Sequence, residues 1–100
     1  MFPLEEEEIE LIVKRDDDIV KLAKALSSVT RIKILRMLDN DGVDVSQIAE
    51  AQDQTGANIS AQIKILEKAK LVDSQYQPGK HGVRKVCKPG VKRIIIELEE

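Results

Sequence analysis

One stretch, from Val45 to Val72, restricts the fold more than any other part of the sequence. Its pattern of apolar residues predicts two short helices joined by a tight turn, with the second helix leading into a strand. Apolar side chains recur every three or four residues in the second helix, so one of its faces stays apolar. The residues predicted to face the core are Ile48, Ala49, Ile59, Ile63, Leu66 and Ala69.

The opposite face of the second helix is small, polar and basic. It presents Asn58, Ala61, Gln62, Lys64 and Lys68. A helix that enters a DNA groove needs a face of this kind. The stretch therefore favours a helix-turn-helix DNA-binding domain.

The charge of the chain is unevenly distributed. The net charge is −2, which taken alone argues against binding to nucleic acid. Residues 1–18, however, hold eight acidic and two basic side chains (net −6), whereas residues 54–93 hold nine basic and two acidic ones (net +7). Because phosphate binding depends on local cations, the basic part of the chain is a candidate DNA surface.

The N-terminal part of the chain predicts a strand followed by a helix. Residues 8–14 (EIELIVK) predict a short strand, with a disordered acidic leader as the alternative. Asp16, Asp17 and Asp18 favour a helix over 18–26, because carboxylates cap free N–H groups and oppose the helix dipole. A metal site here is a weaker alternative, since the spaced ligands and the glycine of a calcium loop are missing.

A second helix is predicted from residue 29 to about residue 38, capped by Ser27 and Ser28. Its basic side chains are predicted to form a solvated face, with a phosphate contact by one of them as the alternative. They are Arg31, Lys33 and Arg36. Gly42 then marks a turn, and residues 43–45 predict a short β-element at the edge of a sheet.

Two N-caps are predicted within the central stretch. Ser46 is the expected cap of a brief helix over 47–52, and Thr55 is the expected cap of a helix that extends to about Lys70. The backbone N–H groups that follow Thr55 are then available to a phosphate.

The C-terminal part of the chain predicts strands. Residues 71–77 and 83–88 form a hairpin whose turn is 78–82 (PGKHG), with a basic tip. Residues 91–98 (VKRIIIEL) favour a strand over a helix. They resemble residues 8–14 in composition. The two segments are expected to pair either with each other within one chain or with their counterparts in a second chain of a dimer.

These elements predict an α+β, winged helix-turn-helix fold with three to four helices, in a single domain over 1–100. The predicted parts are an acidic extension with a strand (1–14), a helical core (16–70) that contains the helix-turn-helix (46–70), a wing (71–88) and a C-terminal strand (91–98).

Composition excludes several classes of protein. The single cysteine, Cys87, cannot form an intrachain disulfide, and no signal peptide is visible, so a reducing, cytoplasmic setting is expected. No apolar run approaches the ~18 residues of a membrane span. One histidine, one cysteine and scattered acids form no catalytic constellation. The chain is therefore not expected to be an enzyme, and no cofactor or metal is predicted.

Three segments resemble the ArsR/SmtB-like winged-helix regulators of bacteria and archaea. They are VTRIKIL (29–35), VSQIAE (45–50) and IKILEKAKLV (63–72). The resemblance covers about residues 21–88. It implies a cytoplasmic, homodimeric transcriptional regulator that binds double-stranded DNA, with its recognition helix in the major groove and its wing over the backbone or minor groove.

Three groups of DNA-binding positions follow from the resemblance, residue by residue. The base-facing group is Ala57, Asn58, Ala61 and Gln62. The phosphate-binding pair is Thr55 and Lys64, and the wing group is Lys80, His81 and Arg84. Asn58 and Gln62 are the side chains suited to bidentate pairing with adenine.

The sequence departs from the family pattern in three ways. Residues 47–52 lack the paired cysteines of the metal sensors, which excludes metal sensing by that route. Gln52 and Gln54 replace leucines and Asp53 replaces a frequent glycine, so the turn is more polar. Lys70 replaces the glycine before the wing, where a left-handed residue other than glycine costs about 1 kcal/mol.

Several alternatives remain open on the sequence alone. The net negative charge and the acidic leader fit a winged helix that acts as a protein-interaction module within a transcription complex. Cys87 is expected to be a small buried residue, with a redox switch as the minor alternative. His81 is expected to be an exposed turn residue, with a wing contact to DNA as the alternative. No small-molecule effector follows from the sequence.

Overall fold

The computed structural model describes residues 9–99, so residues 1–8 of the predicted acidic extension and residue 100 lie outside the described residues. The elements in chain order are β1 (Glu10–Val13), α1 (Asp16–Leu26), α2 (Val29–Met37), β2 (Val43–Asp44), α3 (Val45–Ala51), α4 (Gly56–Lys68), β3 (Val72–Gly79), β4 (Gly82–Pro89) and β5 (Arg93–Ile96). The α+β architecture predicted from the sequence is confirmed.

Helix α1 begins at Asp16, two residues earlier than predicted, and no side chain caps it. The three aspartates instead fill its first turn, where their charge opposes the positive end of the helix dipole. Ser27 was expected to cap the next helix. It closes α1, since its backbone N–H and its hydroxyl both donate to Lys24 O. Ser28 caps α2 as predicted, because its hydroxyl accepts from the Arg31 backbone N–H.

The predicted N-cap of α3 at Ser46 is wrong. The cap is Asp44, whose Oδ1 accepts from the Ser46 backbone N–H at 2.8 Å, while Gln47 Oε1 accepts from the Asp44 backbone N–H at 3.0 Å. This reciprocal capping box satisfies two orphan donors, whereas a serine two residues later would satisfy only one. The predicted cap at Thr55 is confirmed, since its Oγ1 accepts from Asn58 N at 3.1 Å.

The helices α3 and α4 end in the same way. The N–H of Asp53 donates to Glu50 O and that of Gln54 to Ala49 O; after α4, Lys70 donates to Glu67 O and Leu71 to Leu66 O. This bond pair is the Schellman motif, which places its C′ residue in the left-handed region. Asp53 (φ 54°) and Lys70 (φ 66°) hold the position that glycine usually takes.

The wing is a three-stranded antiparallel sheet in the order β2-β4-β3. Its hairpin is tighter than predicted, because Gly79 pairs with Gly82 and leaves a two-residue turn. Gly82 makes this turn possible with a φ of 114°. Pro78 lies within β3 instead of in the turn, and the strand tolerates it because β3 is an edge strand. The predicted β-element near Val43 is the other edge of this sheet.

The two terminal segments are strands, as predicted, and they pair with each other within one chain. Strand β1 runs parallel to β5, with Glu10 opposite Arg93 and Val13 opposite Ile96. Between the two alternatives left open by the sequence, the structure therefore shows the intrachain pairing. The backbone bonds from Lys92 N to Ile9 O and from Glu97 N to Val13 O extend it at both ends.

The core is built from aliphatic side chains of α1, α2, α3, α4 and the wing. All six positions predicted from the central stretch are buried. In α2 the fully buried residue is Ile34, whereas Ile32 and Leu35 are partly exposed. Cys87 is fully buried among these residues, as expected. No helix within residues 9–99 is long and apolar enough to cross a membrane.

Candidate nucleic-acid interface

The outer face of α4 consists of exposed small, polar and basic residues. Asn58, Ala57, Ala61 and Lys64 are all exposed, as the sequence predicted for a recognition helix. Thr55 caps this helix with its side chain, so the backbone N–H groups of the first turn lie at its exposed end. Ile59, Ile63 and Leu66 anchor the opposite face in the core and hold the helix in place.

Gln62 differs from the other predicted base-facing residues. It is half-buried, and its Oε1 accepts a hydrogen bond of 2.6 Å from Nη1 of Arg31 on α2. Arg31 was predicted to lie on a solvated face together with Lys33 and Arg36. That prediction is correct for Lys33 and Arg36, which are exposed, and wrong for Arg31, which is half-buried between helices.

The tip of the wing is basic and exposed. Lys80 and His81 form the two-residue turn, and both are exposed. Arg84 lies behind them on β4, and its Nη1 is 3.4 Å from Oδ2 of Asp44, the residue that caps α3. The Arg84 side chain keeps half of its surface exposed, so it can still meet a phosphate by leaving this ion pair.

A groove runs between α4 and the wing and brings together four of the predicted DNA-binding residues. It is lined by Lys64 from the helix and by Lys80, His81 and Arg84 from the hairpin. Thr55 and Asn58 open into a second recess, beside Glu50 and Asp53 at the turn between α3 and α4. Six of the predicted DNA-binding residues thus line two separate recesses, one between α4 and the wing and one beside two carboxylates at the start of α4.

The main groove is also lined by residues that the sequence did not single out, among them Ser60, Tyr76 and Lys85. Lys85 Nζ pairs with Glu67 Oε2 at 3.1 Å and lies 5.8 Å from the centre of the Tyr76 ring. Tyr76 is opposite Lys85 in the hairpin ladder. A two-residue turn read from the sequence would have predicted this register, and with it the pair.

The titratable groups near the groove show one clear electrostatic effect. The pKa of Asp44 is lowered, chiefly because its carboxylate accepts the backbone N–H of Ser46, with further help from the Ser46 hydroxyl and Arg84. Asp44 is therefore held in its charged form, in which it caps α3 and neutralises part of the Arg84 charge.

Cys87 lies in the hydrophobic core and does not line the groove. Burial is the main reason why the pKa of its thiol is raised, although Ser74 donates to its sulfur at 3.5 Å. A raised pKa disfavours the reactive thiolate, so the redox alternative gains no support from this environment. Within residues 9–99 no cluster of three or more His, Cys, Asp or Glu side chains could hold a metal ion.

Comparison with known proteins identifies this arrangement of helices. A family model for the helix-turn-helix domain matches residues 26–75, which is half of the chain. The chain belongs to this helix-turn-helix family. A comparison with curated proteins found no match.

Solved structures resemble the helix-turn-helix chain over most of its length. One is a homodimeric winged helix-turn-helix DNA-binding domain from Mycobacterium bovis, a possible ArsR-family transcriptional regulator, with 26% identity, a TM-score of 0.64 and coverage of 74% of this chain and 65% of that one. Another is an ArsR family transcriptional regulator with 24% identity and a TM-score of 0.63, covering 75% and 73%. HlyU from Vibrio cholerae has the same fold at 19% identity and a TM-score of 0.62, covering 73% and 75%. The winged fold and the resemblance to ArsR-type regulators are thereby confirmed.

Proposed function

We propose that this helix-turn-helix chain is a transcriptional regulator that acts as a homodimer in the cytoplasm and binds double-stranded DNA. In this proposal α4 enters the major groove, where Ala57, Asn58 and Ala61 face base edges. Thr55 and Lys64 contact phosphates beside it. Lys80, His81 and Arg84 of the wing lie over the backbone or the minor groove.

The observation that supports this proposal best is the groove shared by α4 and the wing. Lys64 of α4 and three residues of the wing line the same surface, on a protein whose net charge is negative. A phosphate backbone is the partner that gains most from such a concentration of cations, because each contact releases condensed counterions.

The test is a titration of the protein against duplex DNA at several salt concentrations. The logarithm of the binding constant should fall linearly with the logarithm of salt concentration, with a slope of about −0.9 per phosphate contact. Lys64→Ala should reduce that slope by about one unit. Lys33→Ala is the matched control, because Lys33 is an exposed lysine on α2 that lines neither the groove nor the terminal strands. The proposal is refuted if no binding is seen at low salt, or if the affinity does not change with salt concentration.

The alternative function, a protein-interaction module, draws on one feature of the same surface. Two wing cations, Arg84 and Lys85, already face acidic partners, Asp44 and Glu67. If a protein partner occupies the groove, Asn58→Ala and Lys64→Ala should weaken the binding of that partner and leave the affinity for DNA unchanged. The proposed DNA-binding function requires that both substitutions weaken DNA binding.

The homodimer is proposed to form through the terminal strands and α1. Exposed apolar side chains gather on these three elements: Ile12 (50% exposed), Val20 (52%) and Ile96 (44%). The outer edges of β1 and β5 also have no strand neighbour within residues 9–99, and unpaired edges favour association. The resembling domain from Mycobacterium bovis is itself homodimeric.

Light scattering after size exclusion tests the proposed dimer. Val20→Lys should shift the wild-type dimer towards monomer, because it places a charge among these apolar groups. Val83→Lys is the control, since Val83 is equally apolar and more exposed (73%) but lies on the wing. A dimer that survives Val20→Lys and Ile96→Lys together would contradict this interface.

A further inference from the structure

The guanidinium group of Arg31 joins three helices. Its Nε donates to Ala25 O at 2.8 Å and its Nη2 donates to Lys24 O at 2.9 Å. Both carbonyls belong to the last turn of α1, where backbone acceptors are not used by the helix ladder; Lys24 O also accepts from the N–H and the hydroxyl of Ser27. The third bond, from Nη1, goes to Gln62 Oε1 on α4 at 2.6 Å. One side chain of α2 therefore ties the end of α1 to the middle of the recognition helix.

The chemistry of Arg31 fixes the orientation of the Gln62 amide. A guanidinium group has only donors, so the atom of Gln62 that faces it must be the carbonyl oxygen. Bonds of this kind, with a charged donor and a short distance, are roughly twice as strong as those between neutral groups. Bidentate pairing with adenine needs that same oxygen to accept from N6 while the amide nitrogen donates to N7. With its oxygen turned towards Arg31 on α2 and its side chain half-buried, Gln62 is not oriented to present both amide atoms to one base.

The position of Gln62 on α4 agrees with this orientation. On a helix with 3.6 residues per turn, Gln62 lies about 60° from the buried Ile59, whereas Ala61 lies about 160° from it. Gln62 thus lies on the flank that faces α2, and Ala61 lies on the outer face. Asn58 is exposed, and its side chain makes no hydrogen bond within residues 9–99. Its amide is free to meet a base with both of its atoms.

We propose that Arg31 is a positioning residue for DNA recognition, which holds the Gln62 carbonyl inward and thereby sets the rotation of α4. Gln62 then acts through Arg31 and not as a reader of adenine, a role that falls to Asn58. This inference rests on the proposed function and deepens it, because it assigns base readout and helix positioning to different residues of the same helix.

The experiment combines a double-mutant cycle with selection of DNA sites from a random pool. Arg31→Met and Gln62→Met each remove one end of the bond between α2 and α4. Each should weaken binding to a fixed site roughly 3- to 30-fold, the range for coupling through a packed network. The double variant should be no weaker than the weaker single variant, because both changes break the same bond.

Arg36→Met is the matched control. Arg36 lies on the same helix and carries the same charge, but it is exposed and has no hydrogen bond or ion pair within residues 9–99. Its replacement should reproduce only the loss of one positive charge. Arg31→Lys keeps the charge but replaces the planar fork by a point donor, so it should weaken binding as Arg31→Met does. Thermal melts confirm that each variant is folded at the temperature of the binding assay.

Site selection separates positioning from base readout. The sites selected by Arg31→Met and Gln62→Met should show the same base preferences as each other, whereas Asn58→Ala should lose a preference for adenine at one position. The inference is overturned if Gln62→Met alone relaxes one base pair, if the cycle is additive, or if Arg31→Met behaves like Arg36→Met. A wild-type protein without salt-dependent DNA binding would overturn the proposed function itself, and this assignment with it.

Discussion

Lys70 occupies a backbone position that suits glycine, and replacing it should stabilise the protein. Its φ of 66° places it in the left-handed region at the end of α4, in a Schellman motif closed by the bonds from Lys70 N to Glu67 O and from Leu71 N to Leu66 O. A residue with a Cβ atom costs about 1–2 kcal/mol there. Glycine avoids that cost but loses about 0.5–1 kcal/mol more conformational entropy on folding. Lys70→Gly should therefore raise the free energy of unfolding by about 0.5–1 kcal/mol.

Urea denaturation followed by circular dichroism measures this gain, with thermal melting as a second readout. For a domain of this size the gain corresponds to a rise in Tm of about 2–8 °C. Lys70→Ala is the control, because it removes the same side chain and keeps the Cβ atom. Asp53→Gly should gain less, since aspartate tolerates the left-handed region better than lysine does. The reasoning is refuted if Lys70→Gly is no more stable than Lys70→Ala.

Three other substitutions test the packing and capping. Asp44→Ala should lower the free energy of unfolding by about 0.5–2 kcal/mol at neutral pH, as expected for a lost N-cap. Because the pKa of Asp44 is lowered in the fold, the stability difference between wild type and variant should shrink as the pH falls through that lowered pKa. Urea midpoints that differ equally at all pH values would contradict this. Gly90→Ala should lower the free energy of unfolding by about 1–3 kcal/mol, since its Cβ atom would lie 2.8 Å from Lys70 O. An unchanged melting temperature would show that the backbones at Gly90 and Lys70 can separate without loss of stability. Ile63→Val should cost about 0.5–1.5 kcal/mol in urea denaturation because Ile63 is fully buried, and a neutral result would mean that the core has room to collapse.

The helical core was predictable because it follows from local periodicity. The spacing from Ile59 to Ala69 identifies the buried face of α4 without any knowledge of its partners. The same holds for the Thr55 cap and for the left-handed position at Lys70, since both depend on neighbours within a few residues. The sequence prediction placed the cap of α3 at Ser46, although the signal for the true cap is local. Asp44 and Gln47 have the spacing of a capping box, and this spacing identifies Asp44 as the cap.

The role of Arg31 could not be predicted, because its partners are set by how the helices pack. A basic residue on a short helix usually points to solvent, and nothing near it in the sequence indicates a bond to Gln62, 31 residues away. For the same reason the sequence predicted two equivalent amides on α4, Asn58 and Gln62, whereas the structure gives them different surroundings. Periodicity identifies the face of a helix, but it does not show which residues of that face another element has already bound.

The parallel pairing of β1 with β5 has a consequence for how the chain folds. About 80 residues separate the paired positions Glu10 and Arg93, so forming this pair closes nearly the whole polypeptide into one loop, at an entropic cost of about 4 kcal/mol. The hairpin of β3 and β4, in contrast, closes a loop of only two residues. The order of folding follows from this difference: the hairpin and the helices form early, and the terminal strands join only when the domain between them has brought them together. Amide hydrogen exchange in β1 and β5 should then report the earliest opening of the native state, before the hydrogen bonds of α4 are exposed.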